Sequence, residues 1–89
     1  MPYMSKDEQA TEILNALGIY KHWWTRLKLA RKLGYESARS IESTLKRLQK
    51  EGYIERRAIE RPQGGKRHEF RITPEGYDAW AMLSDGWQA

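Results

Sequence analysis

Ala10, Ile13, Leu14 and Leu17 recur at i, i+3, i+4 and i+7, one apolar helix face that runs out near Gly18. Just upstream, Ser5-Lys6-Asp7-Glu8 has the spacing of a capping box, in which a Ser hydroxyl and a Glu three residues on satisfy each other's backbone donors, so the first helix is expected to start there. The next six residues, Ile19, Tyr20, Lys21, His22, Trp23 and Trp24, are too few for a helix and rich in rings, which predicts a connector with a few strand residues. Thr25 then suits the cap of a second helix whose inward positions are Leu27, Ala30 and Leu33, closed by Gly34 in the left-handed region. Only Tyr35 and Glu36 separate this from Ser37, the expected N-cap of a third helix that reaches Gly52 and carries the stripe Ile41, Leu45 and Leu48.

Beyond Gly52 the period changes. Residues 53–60 and 68–73 read as strands, joined by a loop over 61–67 in which Pro62, Gly64 and Gly65 mark a turn between hairpin arms. Thr73-Pro74-Glu75 opens a last helix, with Thr as cap, Pro at the first helical position and an acid in the first turn. Tyr77, Trp80, Leu83 and Trp87 fall on one side of it, and Asp85-Gly86 is expected to stop it, giving a helix over about 74–84. Two helices joined by so short a turn make a helix-turn-helix over about 25–52, followed by a hairpin over about 53–73. The chain, residues 1–89, is expected to form a single unit, with no repeat, linker or low-complexity tract.

Composition sharpens this. A chain of 89 residues buries roughly 64% of its unfolded surface, enough for one modest core. Leu, Ile, Val and Phe together supply only 15 residues, with no valine, but four Trp and five Tyr add the large apolar bodies that the aliphatics lack. With no cysteine there are no disulfides, thiolate metal sites or cysteine nucleophiles. No stretch approaches the length of a membrane span and residues 1–10 lack the apolar run of a signal peptide, so the expected location is cytoplasmic. His22 and His68 stand 46 residues apart with no carboxylate cluster between them, and no phosphate-loop motif is present, so neither a metal or other cofactor nor an enzyme activity is expected. The net charge of +4 is unevenly placed: residues 21–71 hold 15 of the 16 Lys and Arg and half of the twelve acids, a local +9 between acidic ends. That is the footprint expected of a polyanion binder, although a basic run is also simply a well-solvated face.

The order of elements and three segments carry a resemblance. Leu29-Ala30-Arg31-Lys32-Leu33-Gly34, then Ser37 and Ile41, then residues 45–54 with Leu45-Lys46-Arg47-Leu48 and Gly52-Tyr53-Ile54, resemble the winged helix-turn-helix of bacterial and archaeal regulators. Phe70-Arg71-Ile72-Thr73-Pro74-Glu75-Gly76 is similar to the segment that leaves the wing in MarR-like and PadR-like members. The implied fold class is α+β, mostly α: three helices, a two- or three-stranded β-hairpin wing and a C-terminal helix. The implied function is sequence-specific binding of double-stranded DNA by a transcriptional regulator, a repressor, with the third helix in the major groove and the wing on the flanking backbone. The other reading is a winged-helix interaction module, binding protein or RNA within a larger replication, plasmid or viral assembly. No effector is identifiable.

Arg39, Ser43, Lys46 and Lys50 lie opposite the apolar stripe of the third helix, with Ser40 and Arg47 on one flank and Glu42 on the other. Residues early in such a helix sit nearest the bases, which makes Arg39, Ser40 and Ser43 the base-reading candidates, Arg39 through a bidentate contact to guanine. Ser37, Lys46, Arg47 and Lys50, with Arg26 and Lys28 on the second helix, are backbone candidates; alternatively, Lys46 merely pairs with Glu42 at i, i+4. At the wing, Arg61, Lys66 and Arg67 surround Gly64 and Gly65, glycines that allow close approach to a sugar-phosphate chain. The facing of Arg56, Arg57 and Arg71 is left open. Tyr35 either packs or reaches a phosphate, and Trp23-Trp24 reads as core or a helix-packing wedge ahead of a base-stacking platform. The stripe of Tyr77, Trp80, Leu83 and Trp87 either folds back on the first helix or meets its mate in a second subunit; a two-fold homodimer is the expectation.

Overall fold

The computed structural model describes residues 5–88, with side chains over 8–82. Four helices and a three-stranded sheet follow in the order α1 (Ser5–Ile19), β1 (Trp24–Thr25), α2 (Arg26–Lys32), α3 (Arg39–Lys50), β2 (Ile54–Glu60), β3 (Lys66–Ile72) and α4 (Pro74–Gln88). Helix α1 buries the expected face, with Ile13 and Leu17 fully enclosed. It starts at Ser5 itself, and the side chains of Ser5, Lys6 and Asp7 in the expected capping box lie outside the described residues.

Thr25 caps α2 as its residue type predicts, its hydroxyl accepting from the Lys28 backbone N–H at 3.2 Å. The inward set of α2 differs from the expectation: Leu29 and Ala30 are fully buried, Leu33 is packed at the edge of the core and Leu27 is exposed. Residues 27, 30 and 33 share helical spacing, but so do 29, 30 and 33, and Leu27 lies roughly 115° from the middle of that second set. Gly34 closes the helix at φ 89°, a conformation that would strain any side chain. The turn then occupies residues 33–38, longer than expected, and α3 starts at Arg39. The N-cap position falls on Ala38 instead of the expected Ser37 and carries no side-chain cap bond, because the longer turn shifts the helix start by one residue; the Ser37 hydroxyl, just upstream, accepts from the Arg39 N–H at 3.1 Å.

Helix α3 lays Ile41, Leu45 and Leu48 on the core, and its fourth buried residue, Thr44, donates its hydroxyl to Gln9 Oε1 of α1. The Gln9 amide in turn donates to the Ser40 carbonyl at 2.9 Å, so one α1 side chain fixes the first turns of α3. The sheet has the order β1-β3-β2, all antiparallel, with Trp24 opposite Phe70, Ile54 opposite Ile72 and Arg57 opposite Glu69. Strand β3 begins at Lys66, so Lys66 and Arg67 belong to the hairpin arm and the loop is shortened to residues 61–65. Ile54, Phe70 and Ile72 turn the same face of the sheet onto the helices. Trp24 joins them in the core, its indole N–H donating to the Tyr20 carbonyl at 3.0 Å and its ring stacked on His22 at 4.7 Å, as the packing reading required.

Thr73 caps α4 by accepting from the Gly76 N–H at 3.0 Å, and the helix continues through Gly86 to Gln88, past the expected stop near 84. α4 folds back along α1. The Trp80 indole lies against Gly18 and donates to Asn15 Oδ1 at 3.0 Å, while Lys21 sits 3.9 Å over the Tyr77 ring.

Candidate nucleic-acid interface

The outward face of α3 is set by what its inward face must bury. With Ile41, Thr44, Leu45 and Leu48 committed to the core, Arg39, Ser43, Lys46 and Lys50 point to solvent, and no acid stands among them. Ser40 is exposed on the flank and Arg47 is half buried there. Ser37 accepts one backbone N–H, which leaves its O–H proton available to a ligand. The expected pairing of Lys46 with Glu42 does not form. Glu42 binds Arg26 instead, Nη1 to Oε2 at 2.7 Å, because α2 crosses α3 at that point. Arg26 is thereby tied across the two helices and Lys46 has no ion-pair partner among the described residues. Lys28 is exposed on α2.

On the hairpin, alternation sorts the cations onto two faces. Arg57, Arg67 and Arg71 share the outer face with Glu55 and Glu69. Arg57 and Arg67 both reach the Glu69 carboxylate, at 2.7 and 3.0 Å, and Arg71 reaches Glu55 at 3.0 Å. The Arg57 hydrogen bond, with the two guanidinium charges behind it, holds the Glu69 carboxyl below the ordinary range against the opposing effect of its burial. Trp23 lies over the same network, its ring centroid 4.2 Å from the Arg57 guanidinium and 4.5 Å from that of Arg71. The other face carries Arg56, Lys66 and His68 toward α3, in line with Phe70 and Ile72. Arg61, Gly64, Gly65 and Lys66 are exposed at the tip, whereas Arg67 lies on the outer face under its ion pair.

An antiparallel hairpin, a two-residue third strand and a short-turn helix pair that presents its second helix outward are now in place. The chain folds as a winged helix-turn-helix. In this arrangement α3 is the second helix of the helix-turn-helix and β2–β3 the wing. The family model of the LexA DNA-binding domain matches residues 21–63, from the connector before β1 to the wing tip. The fold is similar to that of a PadR-like transcription factor from Bacteroides fragilis, with a TM-score of 0.86 at 20% identity over 96% of this chain and 84% of that one. It is also similar to a PadR-like transcriptional regulator from Bacillus cereus, with a TM-score of 0.73 at 26% identity over 89% of this chain and 80% of that one. A Streptococcus transcriptional regulator gives a TM-score of 0.74 at 20% identity, covering 99% of this chain and 89% of that one. No curated protein matches the chain in sequence.

Two sets of residues sit differently from the sequence reading. Tyr77 and Trp80, expected at a subunit interface, pack within the chain against Lys21, Gly18 and Asn15; their partners Leu83 and Trp87 lie outside the residues whose side chains are described. The Tyr35 ring packs at the core edge and its hydroxyl lies 3.4 Å from Glu12 of α1, turned away from the α3 face. Of the three Arg whose facing was open, Arg57 and Arg71 lie on the outer face and Arg56 on the face toward α3, beside His68, which the sequence reading weighed only as a metal ligand. The signal for them was present in the apolar even-numbered positions Ile54, Phe70 and Ile72, which fix the inward face of both arms. No helix among the described residues is long and apolar enough to cross a membrane.

Proposed function

We propose that the protein binds double-stranded DNA with sequence preference and regulates transcription, acting as a repressor by occupying a promoter. The observation that carries this reading is the outward face of α3: Arg39, Ser43, Lys46 and Lys50, exposed, acid-free and without intrachain side-chain partners among the described residues. Arg39, Ser40 and Ser43, near the helix start, read base edges in the major groove. Ser37, Lys46, Arg47 and Lys50, with Lys28 and Arg26 from α2, meet phosphate. The wing contributes Arg61, Gly64, Gly65 and Lys66 to the flanking backbone. Arg67 acts there only by exchanging Glu69 for a phosphate. The LexA DNA-binding match and the regulator folds support the same reading.

Two-fold pairing is part of the proposal and runs through the outer side of α4, where Met82 is 75% exposed. Half-sites then lie about one helical turn apart, near 34 Å. The test is a titration of fluorescent duplexes, random and genomic-upstream sequences side by side, from 50 to 200 mM salt. Six to ten phosphate contacts weaken binding by about 10³ to 10⁵ across that range. Binding of a preferred sequence with that slope is the expected result, and footprinting is expected to show a palindrome. Flat salt dependence or indifference to sequence overturns the proposal, and a single asymmetric footprint overturns the dimer.

A further inference from the structure

Between α3 and the wing lies a cleft of about 210 Å³, lined by Arg26, Glu42, Lys46 and Gln49 on the helical side and by Arg56, His68 and Phe70 on the sheet. Leu45 and Phe70 make an apolar floor, both almost wholly buried. The cleft is smaller than the ~300–1,000 Å³ of sites that enclose a drug-sized ligand, and suits a single small charged group. Its one acid, Glu42, already holds Arg26 at 2.7 Å. Lys46, Arg56 and His68, by contrast, have no hydrogen-bond or ion-pair partner among the described residues. Three unpaired nitrogen-bearing side chains from α3, β2 and β3 thus converge above an apolar floor, while each Arg on the opposite face of the same hairpin is ion-paired to Glu55 or Glu69.

We propose that this cleft seats one ionised phosphate group, a phosphodiester of the DNA backbone, held by Lys46, Arg56 and His68. The seat rests on the DNA-binding reading and adds to it a fixed point between the groove occupied by α3 and the groove reached by the wing. A phosphate there has a flexible ammonium on one side, a forked guanidinium on another and an imidazole N–H on the third, donors that all match its oxygens. Because the contact is to the backbone, it positions the duplex and carries no base preference. The charged groups facing His68 are Arg26, Glu42 and Lys46 from the helices and Arg56 from β2, with Lys66 and Glu60 further toward the tip on the same face.

The experiment compares the intact protein with Arg56→Gln, His68→Gln and, as a charge-matched control on the outer face, Arg71→Gln. Each is titrated with one duplex over 50 to 200 mM salt, while the His68 ring proton is followed by NMR, His68→Gln identifying its signal. A lost phosphate contact lowers the salt slope by about 0.9, which is about an eightfold loss of affinity near 0.1 M salt. The expected result is that loss in Arg56→Gln and a smaller one of the same kind in His68→Gln, equal across duplex sequences, with Arg71→Gln unchanged and the His68 signal moving on saturation. If duplex binds but the His68 signal stays still and Arg56→Gln keeps the full slope, the seat is overturned and the DNA reading stands. A parallel titration with inorganic phosphate separates the sources. Should no duplex bind while phosphate moves the His68 signal in the intact protein but not in Arg56→Gln, the phosphate seat stands and the DNA reading falls. A signal unmoved by either overturns both.

Discussion

Gly76→Ala is a substitution that helix propensity favours and the packing forbids. Gly76 lies in the first turn of α4, where exchanging Gly for Ala ordinarily stabilises a helix by about 0.5–1 kcal/mol. A methyl at this Cα, however, would stand 1.9 Å from the Tyr53 carbonyl oxygen and 2.9 Å from Cγ1 of Ile72, where side-chain carbons do not approach neighbours closer than 3.0 Å. The obstacle is backbone, so no rotamer change relieves it, and the start of α4 must lift from β2 by more than an ångström. Overpacking typically costs about 1–3 kcal/mol, and a backbone clash of this depth belongs at the top of that range. The same movement opens the Thr73 N–H bond to the Tyr53 carbonyl at 3.0 Å and the Thr73 hydroxyl bond to the Gly52 carbonyl at 2.6 Å, each worth about 1 kcal/mol. Against the propensity gain, the net loss is about 4 kcal/mol, a large share of the ~5–15 kcal/mol that holds such a domain folded. With a urea slope near 1.5 kcal/mol/M, the unfolding midpoint should fall by about 2.7 M. Urea melts followed by tryptophan fluorescence measure it directly. A Gly76→Ala protein with a midpoint equal to or above that of the parent refutes the claim that α4 is seated on the Tyr53 carbonyl.

Other substitutions probe separate parts of the molecule. Thr25→Ala removes the hydroxyl that accepts from Lys28 N–H and should lower stability by about 1 kcal/mol in the same melts, with Thr25→Ser restoring most of it. Arg39→Ala should cost about 1–3 kcal/mol of DNA binding and relax preference at one base position, read by competition with single-base operator variants; a uniform loss across sequences would instead make Arg39 a backbone contact. Glu69, whose carboxyl sits below the ordinary range in the folded chain, contributes stability that is complete at neutral pH. That contribution begins to fade as pH drops through the unfolded value near 4.3 and is gone once pH has passed below the folded value. Thermal melts of the parent and Glu69→Gln from pH 3 to 7 should therefore converge only at the acidic end.

Much of the fold was legible in single residues. Ile13, Leu17, Ile41, Leu45 and Leu48 announce their helices because each stripe is wide and has no competing apolar position. Helix α2 was misread at Leu27 because three of its seven residues are Leu or Ala, so more than one inward set fits the period. The α3 half of the interface was readable for a related reason: once the core stripe is fixed, the opposite face follows. The wing was less so. Charged residues occupy both faces of its arms, and only the pairing of Ile54 with Ile72 reveals which Arg points where. Tyr77 and Trp80 show a further limit, since an aromatic stripe has the same spacing whether it covers Gly18 of its own chain or a neighbouring subunit.

The two-sided sorting of the wing also constrains how its length can vary. Odd-numbered arm positions 55, 57, 67, 69 and 71 hold the ion-paired set, and even-numbered positions 56 and 68 hold Arg56 and His68, which have no such partner among the described residues. The wing's electrostatic polarity is thus a matter of parity: one residue inserted or deleted within an arm, unless absorbed by a bulge, exchanges the sets beyond it and turns Glu69 toward the helices. Residues 61–65 lie outside the pairing, and chain added there leaves the parity of both arms intact. Related wings are therefore expected to differ in length at the tip, where reach along the DNA can be tuned without disturbing which side of the hairpin is charged.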